Sequence, residues 1–356
     1  MDLDVVLLGT AASVPTAFRA PAALLVRRGG ERLLFDCAEG TQRQLMRSTV
    51  GLPDIDAVYL THYHADHILG LPGMLKTFAL RDRDRTLVVH GPAGLEKTMS
   101  ALRAIHGRLS YPLRLVEVAP GDVLPGDGYA IHVFPLDHGT PAVGYALVED
   151  ERPGRFDNEL ADQLGVPFGP ERGRLQRGEA VALANGRVVR PDELIGPARR
   201  GRKIVIGGDT GPSKAVVDAA QGADVLVHEA TFTQADAERA RETNHSTAAE
   251  AAQVGAAAGA RLLVLTHVSA RYRASEIRDE AQALHPAVVV PRDFDVIEVP
   301  FPERGEPVLL PGGVARYRER LRGHGADPAR DGAPDAADAE ELEALDDPGA
   351  PAAPPA

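Results

Sequence analysis

Residues 57–67 read AVYLTHYHADH, a short apolar run followed by three histidines and one aspartate within six residues. An apolar run of this length with polar residues after it is typical of a buried strand. The motif H-x-H-x-D-H therefore places four possible ligands on the turn that leaves the strand. Neutral imidazoles and a carboxylate suit a borderline divalent metal such as zinc. A polar surface loop is the alternative, but chance seldom produces such a cluster.

Three further possible ligands lie at similar positions. His138, Asp209 and His267 each follow a short apolar, β-like run. A single histidine at a strand end is more often a structural residue than a ligand. Three such positions together with the first cluster indicate a shared edge of the fold. The set of five histidines and two aspartates suffices for two metal ions if a carboxylate such as Asp209 bridges them.

The rest of the chain predicts two layers of sheet covered by helices. Short β-rich runs alternate with helical segments up to residue 150, and a second series starts at residue 203. Alanine-rich helices are predicted at 213–220 and 246–258, and the spacing of Thr247 and Glu250 predicts a capping box. Residues 151–200 are rich in glycine, proline and arginine. Their composition leaves open whether they are functional or a surface insertion without a task.

Composition is ordinary for a globular chain, but charge is unevenly distributed. The 356 residues are 44% hydrophobic and 25% charged, with a net charge of −12. Residues 323–356 hold nine acids and one arginine, which predicts a disordered acidic tail. Residues 152–203 instead hold eleven basic residues against seven acidic ones. The overall negative charge therefore conceals a basic segment that can serve a polyanionic partner.

Targeting signals and cysteine chemistry are not evident. The single cysteine, Cys37, excludes an internal disulfide and is expected to be a small buried residue. No apolar run is long enough to span a bilayer, and the N-terminus lacks the basic region of a signal peptide. We therefore expect a cytoplasmic protein without a membrane partner.

The chain resembles the metallo-β-lactamase-fold hydrolases and, within them, the ribonuclease Z family. The matching segments include LLFDCAEGTQRQL (33–45), LTHYHADHILGLPG (60–73), GDTGPS (208–213), HEATF (228–232), TNHSTAAEAA (243–252) and LTHVSARY (265–272). The resemblance implies an α/β fold, a four-layer αββα sandwich. It implies a nuclease domain at 1–312 with an inserted flexible, tRNA-binding arm at 151–203. The acidic tail then occupies 313–356.

The resemblance also implies two zinc ions per subunit and a role for each ligand. One zinc would be held by His62, His64 and His138, and the other by Asp66, His67 and His267, with Asp209 as the bridge. Zinc lowers the pKa of bound water to about 7, so hydroxide becomes available at neutral pH.

Catalytic roles follow from the same resemblance. Asp66 would accept a proton from the attacking water, and His245 would contact phosphate and act as general acid, oriented by Glu229. The alternative for His245 is a histidine in a capping loop. The helix predicted from residue 246 is expected to add backbone N–H groups that bind phosphate. Asp36, after a predicted strand, is expected to orient a ligand.

Substrate contacts are implied at four positions. Gly169 and Pro170 stand at the Gly-Pro tip of the family's arm, and Thr247 lies beside His245. Arg19 remains from the family's P-x-K-x-R-N loop, which reads PTAFRA (15–20) in this chain. Because the lysine and asparagine of that loop are missing, the cleavage position relative to the CCA end is not predicted.

The function implied is that of a zinc-dependent endoribonuclease, a hydrolase that removes the 3′ trailer of precursor tRNA. It would leave a 3′-hydroxyl on the tRNA and a 5′-phosphate on the trailer. A homodimer is implied, in which the arm of one subunit grips tRNA bound at the other, and no DNA partner is expected. Two alternatives remain: a phosphodiesterase or arylsulfatase acting on small molecules, and a zinc-stabilised RNA-binding protein without turnover.

Overall fold

Two mixed β-sheets of eight and seven strands face each other. The computed structural model describes residues 1–48, 50–52 and 55–312, so the predicted tail at 313–356 lies outside the described residues. The strands of the first half of the chain are β1 (Leu3–Gly9), β2 (Ala23–Arg28), β3 (Glu31–Phe35), β4 (Ala57–Tyr59), β5 (Leu87–Gly91), β6 (Leu113–Glu117), β7 (Val123–Gly126), β8 (Tyr129–Pro135) and β9 (Val143–Glu149). The remaining strands are β10 (Val181–Ala182), β11 (Val188–Val189), β12 (Lys203–Ile206), β13 (Val225–Glu229), β14 (Leu262–Thr266), β15 (Val288–Val289), β16 (Val296–Glu298) and β17 (Val308–Leu310).

Six of the described helices cover the outer faces of the two sheets. The helices are α1 (Thr41–Arg47), α2 (Ala65–Ile68), α3 (Leu71–Leu80), α4 (Leu95–His106), α5 (Asn158–Gln163), α6 (Pro170–Gln176), α7 (Pro191–Leu194), α8 (Lys214–Ala219), α9 (Ala237–Glu242), α10 (Ala248–Ala258) and α11 (Ala274–Gln282). Helices α1, α3 and α4 pack on the first sheet, and α8, α10 and α11 pack on the second. The predicted four-layer αββα sandwich is therefore confirmed.

Burial on both faces explains why the strands read as continuous apolar runs. In β1, Val5 and Leu7 point into the core between the sheets, whereas Val6 and Leu8 point to the helices of the first sheet. All four side chains are fully buried. Strands covered on both faces lack the polar alternation of a half-exposed strand. The first sheet runs in the order β17-β16-β1-β2-β3-β4-β5-β6, and the second in the order β15-β14-β13-β12-β9-β8-β7.

Strand direction gathers several loops at one edge of the sandwich. Strands β3 to β6 are parallel to one another, and so are β12 to β15. Strand β8 shares the direction of β12, because β9 pairs antiparallel with both. The segments after β4, β8, β12 and β14 therefore leave the sheets at carboxyl ends, where α/β folds commonly place their sites.

Helix boundaries differ from prediction at two starts. The helix predicted at 213–220 begins at Lys214, with Ser213 as its N-cap. The helix predicted at 246–258 begins at Ala248, with Thr247 as its N-cap and Glu250 completing the predicted capping box. Helix α3 was not predicted, because Pro72 and Gly73 in its first turn lower its intrinsic propensity while packing stabilises it.

Residues between β9 and β12 form a separate folded unit. It contains α5, α6, β10, β11 and α7, and it buries its own apolar cluster of Ala161, Val166, Leu175, Val181, Val189 and Leu194. At its base, the two chain crossings touch: a Cβ on Gly154 would lie 1.9 Å from the carbonyl oxygen of Gly196. Glu303 pairs there with both Arg152 and Arg199 at 2.9 Å. This unit, residues 150–202, corresponds to the arm expected at 151–203 and is called the arm below.

Among the residues that the structure describes, none of the helices has the length and apolar character needed to cross a bilayer.

Candidate active site

The seven predicted metal ligands meet at the carboxyl ends of the strands. His62 and His64 follow β4, and Asp66 and His67 lie in the short helix α2. The other three follow strands of the second sheet: His138 comes after β8, Asp209 after β12 and His267 after β14. The site therefore draws on both sheets.

These side chains form two adjoining groups. In the first, one ligand atom from each of His62, His64 and His138 lies within 4.8 Å of the others, and the second unites Asp66, His67, Asp209 and His267 in the same way. Oδ2 of Asp209 lies 3.2 Å from Nε2 of His267, 3.3 Å from that of His67 and 3.8 Å from that of His138. Asp209 thus borders both groups, as a bridging ligand must.

A carboxylate after β3 holds two histidines of the first half. Oδ2 of Asp36 lies 2.8 Å from Nδ1 of His67 and accepts a hydrogen bond from the hydroxyl of Thr61 at 2.9 Å. The Thr61 oxygen lies 3.0 Å from Nδ1 of His62. Since the hydroxyl donates to Asp36, it accepts from the imidazole. As predicted, Asp36 contacts a candidate ligand, and it reaches a second one through Thr61.

The second half repeats this arrangement. Oε1 of Glu229 lies 2.7 Å from Nδ1 of His245, and its Oε2 accepts from the hydroxyl of Thr231 at 2.5 Å. The Thr231 oxygen lies 2.8 Å from Nδ1 of His267. Each half thus uses one buried carboxylate and one threonine to hold two imidazoles by their Nδ1 atoms.

Holding Nδ1 leaves Nε2 directed inward as a ligand. Nδ1 of His138 is also held, 3.0 Å from the carbonyl oxygen of Asn244. Nε2 of His62 and of His67 are buried and make no hydrogen bond of good geometry with the described residues, although Oδ2 of Asp209 lies 3.3 Å from Nε2 of His67. Buried polar atoms are rarely left without a partner, and a cation satisfies both. The residues present therefore fit a metal, and the chain has a metal-binding site here.

Strained backbone concentrates at the same place. Of five non-glycine residues with positive φ in the described chain, three belong to the site: Asp36 (55°), Asn244 (53°) and His267 (55°). This left-handed region is uncommon for residues other than glycine and is retained where surrounding contacts impose it. Each of the three supplies or orients a group of the cluster.

Electrostatics prepare the cluster for a cation. Burial, with the neighbouring His67 adding to it, lowers the pKa of His62 to about 2, so this imidazole stays neutral with a free lone pair. Burial alone would raise the pKa of Asp209, but His267 and His67 hold it well below its usual range. Neutral His62 and ionised Asp209 are thus in the forms that bind a metal. Burial would lower the pKa of His67, but Asp209 and Asp36 raise it well above its usual value, so this ring must lose a proton to become a ligand.

His245 is not a member of either of the two ligand groups, but a ring nitrogen of His245 lies within 4.8 Å of ligand atoms of His138 and Asp209. Its ring lies 5.3 Å from that of His267, nearly parallel, and 4.9 Å from that of His138. Burial would lower the pKa of His245, but Glu229 raises it above the usual value. The protonated form is thereby favoured, and this arrangement suits a proton donor.

The start of α10 does not offer the free N–H groups that were expected for phosphate. From residue 246 to 250, each backbone N–H already has an acceptor within the protein. Glu229 takes the N–H of Ser246, and Glu280 takes that of Ala249. This expectation was wrong, because side-chain carboxylates and the preceding loop satisfy the first turn.

The predicted substrate contacts have diverse settings. Thr247 is fully buried. Its hydroxyl donates a hydrogen bond to the side-chain oxygen of Gln234 and accepts one from the N–H of Glu250. The guanidinium of Arg19 donates to the Thr10 hydroxyl and, at 2.8 Å, to the carbonyl oxygen of Pro291. For Thr247 and Arg19 the described contacts are structural, and their contact with substrate stays a prediction.

The two arm positions lie together at a turn before α6. Gly169 has φ +132°, which side chains rarely adopt, and Pro170 opens the helix. Both are exposed.

Two threonines of the site were not identified from the sequence. Thr61 stands directly before H-x-H-x-D-H, and Thr231 stands two residues after Glu229. The available signal was a threonine directly before the ligand run in the first case and a threonine close to Glu229 in the second. The backbone carbonyl oxygen of Asn244, which contacts His138, could not be identified from the sequence, because every residue has such a group. Cys37 is buried as expected, and burial raises the pKa of its thiol.

Comparison with known proteins points to one family. A model of the beta-lactamase superfamily domain matches residues 31–268. Ribonuclease Z of Halorubrum lacusprofundi is 48% identical over 311 residues, covering 86% of this chain and all of that protein. Ribonuclease Z of Myxococcus xanthus is 48% identical over 273 residues, covering 76% and 88%.

Solved structures agree. The short form of human tRNase Z superimposes with a TM-score of 0.60 at 28% identity, covering 83% of this chain and 99% of that one. A metallo-β-lactamase-fold protein of Bacillus subtilis gives a TM-score of 0.60 at 19% identity over 84% of this chain and all of that one, a likeness of fold alone.

Proposed function

The chain belongs to the ribonuclease Z family of the metallo-β-lactamase superfamily, and from this premise we propose that it removes the 3′ trailer of precursor tRNA. It is an endoribonuclease, a hydrolase that breaks the bond between phosphorus and the 3′-oxygen of the tRNA. The tRNA keeps a 3′-hydroxyl and the trailer a 5′-phosphate. The observation that carries the proposal is the placing of His245, tied to Glu229 at 2.7 Å, beside seven converging ligand side chains.

Two zinc ions are proposed for the ligand cluster. The first would be held by His62, His64 and His138, the second by Asp66, His67 and His267, and Asp209 would contact both. When bound, two divalent cations make water more acidic and neutralise negative charge on a phosphodiester. The orphaned Nε2 atoms of His62 and His67 and the position of Asp209 between the groups support this assignment.

Asp66 is proposed to take the proton of the attacking water. Burial would raise the pKa of Asp66, but hydrogen bonding and charge from His267, with His67, hold it below its usual range. The carboxylate is therefore ionised at neutral pH and able to accept a proton. Its Oδ2 lies 3.4 Å from Nε2 of His267, at the rim of the cluster.

His245 is proposed to give a proton to the leaving 3′-oxygen. Because Glu229 accepts the hydrogen bond from Nδ1, the proton available for transfer is the one on Nε2. The buried carboxylate stabilises the charged ring until transfer, after which the ring is neutral. One proton thus enters at Asp66 Oδ2 and one leaves from His245 Nε2, so the protons balance.

The arm is proposed to bind tRNA at a distance from the bond that is cut. Its separate apolar core and its place between two sheet strands make it an attachment to the nuclease body. The family resemblance supports a homodimer in which the arm of one subunit serves the other, and a cytoplasmic location. In the same way, residues 1–312 are proposed as the nuclease domain.

Mapping both ends of the cut RNA tests the function. Precursor tRNAs with and without an encoded CCA are incubated with the metal-loaded protein. A single internal cut with a 3′-hydroxyl on the tRNA is expected, and its position shows how the altered loop at 15–20 treats the CCA end. A ladder of shortened products, or intact RNA that remains bound, contradicts the proposal, and the second outcome favours an RNA-binding protein without turnover.

A further inference from the structure

Phe168, at the tip of the arm, leaves 90% of its surface in solvent. Among the large hydrophobic residues that the structure describes, it is the most exposed. The arm otherwise buries its apolar side chains in its own core, and Val166, two residues earlier, is 2% exposed. An isolated phenylalanine at a loop tip contributes nothing to that core. A contact with a binding partner would explain why such an apolar side chain is exposed to solvent.

The loop that carries Phe168 is held firmly. The guanidinium of Arg172 donates to the Val166 carbonyl oxygen at 3.0 Å and to the Asn158 side chain at 3.0 Å, and it also pairs with Asp162. The same guanidinium lies 5.5 Å from the centre of the Phe168 ring. Because these bonds fix the loop before binding, little conformational entropy remains to be lost when the ring meets a partner.

Prolines and a glycine complete this fixed geometry. Pro167 and Pro170 flank the tip, and Gly169 takes φ +132° between Phe168 and the helix. Proline restricts φ, and at Gly169 a side chain would strain the backbone. The ring is therefore presented on a short, stiff turn.

Arginines follow the ring in the chain. Between residues 166 and 179 there are three arginines and two glutamates. The side chain of Arg174, on α6, is 48% exposed and that of Arg177, just after α6, is 65% exposed; both pair with Glu179, at 3.0 and 3.5 Å, so a phosphate would have to compete with that carboxylate. An exposed aromatic ring followed by exposed arginines is a combination that binds nucleic acid, with bases stacked on the ring and phosphates near the cations.

We propose that Phe168 stacks on a base that is exposed on the surface of the bound tRNA, while Arg174 and Arg177 contact the adjoining phosphates. The inference rests on the proposed function, since it assumes that the arm meets tRNA. It adds a specific element, an aromatic platform at the tip, which makes recognition depend on an accessible base as well as on backbone charge.

Fluorescence tests stacking directly, because the chain contains no tryptophan. Phe168→Trp gives the protein one tryptophan at the tip, and Val188→Trp, at an exposed position elsewhere in the arm, is the matched control. The metal-loaded variants are titrated with a tRNA that ends at the cleavage site. Stacking predicts quenching for Phe168→Trp well beyond that of Val188→Trp. Equal signals overturn the proposal.

Kinetics with two substrates provide the second test. Phe168→Ala is expected to raise KM for precursor tRNA by about 5- to 150-fold, the range of aromatic–base stacking, with kcat changed by less than about twofold. Phe168→Leu keeps the bulk but not the ring and should resemble Phe168→Ala, whereas Phe168→Trp should restore KM. Hydrolysis of bis(4-nitrophenyl) phosphate should be unaffected. If Phe168→Leu behaves as the wild type, stacking is wrong.

Oligomeric state separates a protein partner from RNA. If Phe168→Ala loses self-association in light scattering while its KM for precursor tRNA is unchanged, the ring is a subunit contact and the proposal fails. If the wild type itself does not cut precursor tRNA, the proposed function fails instead. The outcomes of the two proposals are therefore distinguishable.

Discussion

Oε1 of Glu229 lies 2.7 Å from Nδ1 of His245, and the Glu229 side chain is almost completely buried. The same carboxylate contacts His267 through the Thr231 hydroxyl. One residue therefore orients both the proposed general acid, His245, and a proposed metal ligand, His267. Asp36 has the corresponding position in the first half, where it holds His67 directly and His62 through Thr61. Each half of the sandwich thus holds two imidazoles with the same kinds of group, a buried carboxylate and a threonine hydroxyl.

Removing His245 should impair chemistry and leave metal binding intact. We expect His245→Ala to lower kcat for precursor tRNA by about 10²- to 10⁴-fold, the usual contribution of a general acid. Glu229→Gln should have a smaller effect, because an amide can still hold Nδ1 but does not favour the charged ring. Single-turnover rates and metal content per subunit are the measurements. A His245→Ala protein that loses its metal would show that the residue is a ligand.

Replacing the Asp36 carboxylate, which orients His67 directly and His62 through Thr61, should reduce the affinity for metal. Asp36→Asn is expected to lower the affinity by about 10- to 100-fold, because it disturbs the hydrogen bonds of His67 and Thr61. Asp56→Asn, at the opposite end of β4, is the matched control. Competition with a chelator measures both. Equal affinities for the two variants would contradict the role of Asp36.

Deletion of the arm should separate two activities. Removing residues 155–195 leaves Gly154 and Gly196, which already touch, to be joined by a short linker. Because the arm has its own core, the nuclease body should remain folded. Precursor tRNA cleavage should be lost while bis(4-nitrophenyl) phosphate is still hydrolysed. Equal loss of both, in a protein with unchanged circular dichroism, would remove the basis for an RNA-binding arm.

Asp293, which accepts hydrogen bonds from the loop after β1, makes a pH-dependent contribution to the free energy of unfolding. Asp293 accepts from the Thr10 hydroxyl, the Ala20 N–H and the Gln44 amide, and burial raises its pKa to about 6. The native state therefore retains a proton that the unfolded chain releases above about pH 4, so this group's contribution to stability falls as pH rises to about 6.

Substitution of Asp293 tests that sign. Relative to the wild type, Asp293→Asn should gain stability as pH rises from about 4 to 7, by at most about 3 kcal/mol. Denaturant unfolding of both proteins at the two pH values gives the difference. A difference that does not change with pH would contradict the raised pKa.

Much of the sandwich and of the ligand set is readable in the sequence. The motif H-x-H-x-D-H after a strand is a local pattern, and so is each of the single ligands His138, Asp209 and His267 after an apolar run. Parallel strands bring these ligands to one edge. Each threonine link has one partner that is distant in the chain, Asp36 for Thr61 and His267 for Thr231. Only the tertiary structure brings these partners together.

The arm and the start of α10 were less predictable for different reasons. Apolar residues of the arm, such as Ala161, Leu175 and Val189, come from separate short elements, so no single periodicity reveals their common core. At α10, sequence rules give the cap at Thr247 correctly. They do not show that Glu280, from a helix far along the chain, already accepts the N–H of Ala249.

Metal content, measured together with cleavage, tests the central claim most directly. The purified protein should hold two divalent ions per subunit, and chelation should abolish precursor tRNA cleavage while zinc restores it. The ligand variant His62→Ala should hold fewer ions and cut poorly. Cleavage at full rate by a chelated, metal-free protein would contradict the account.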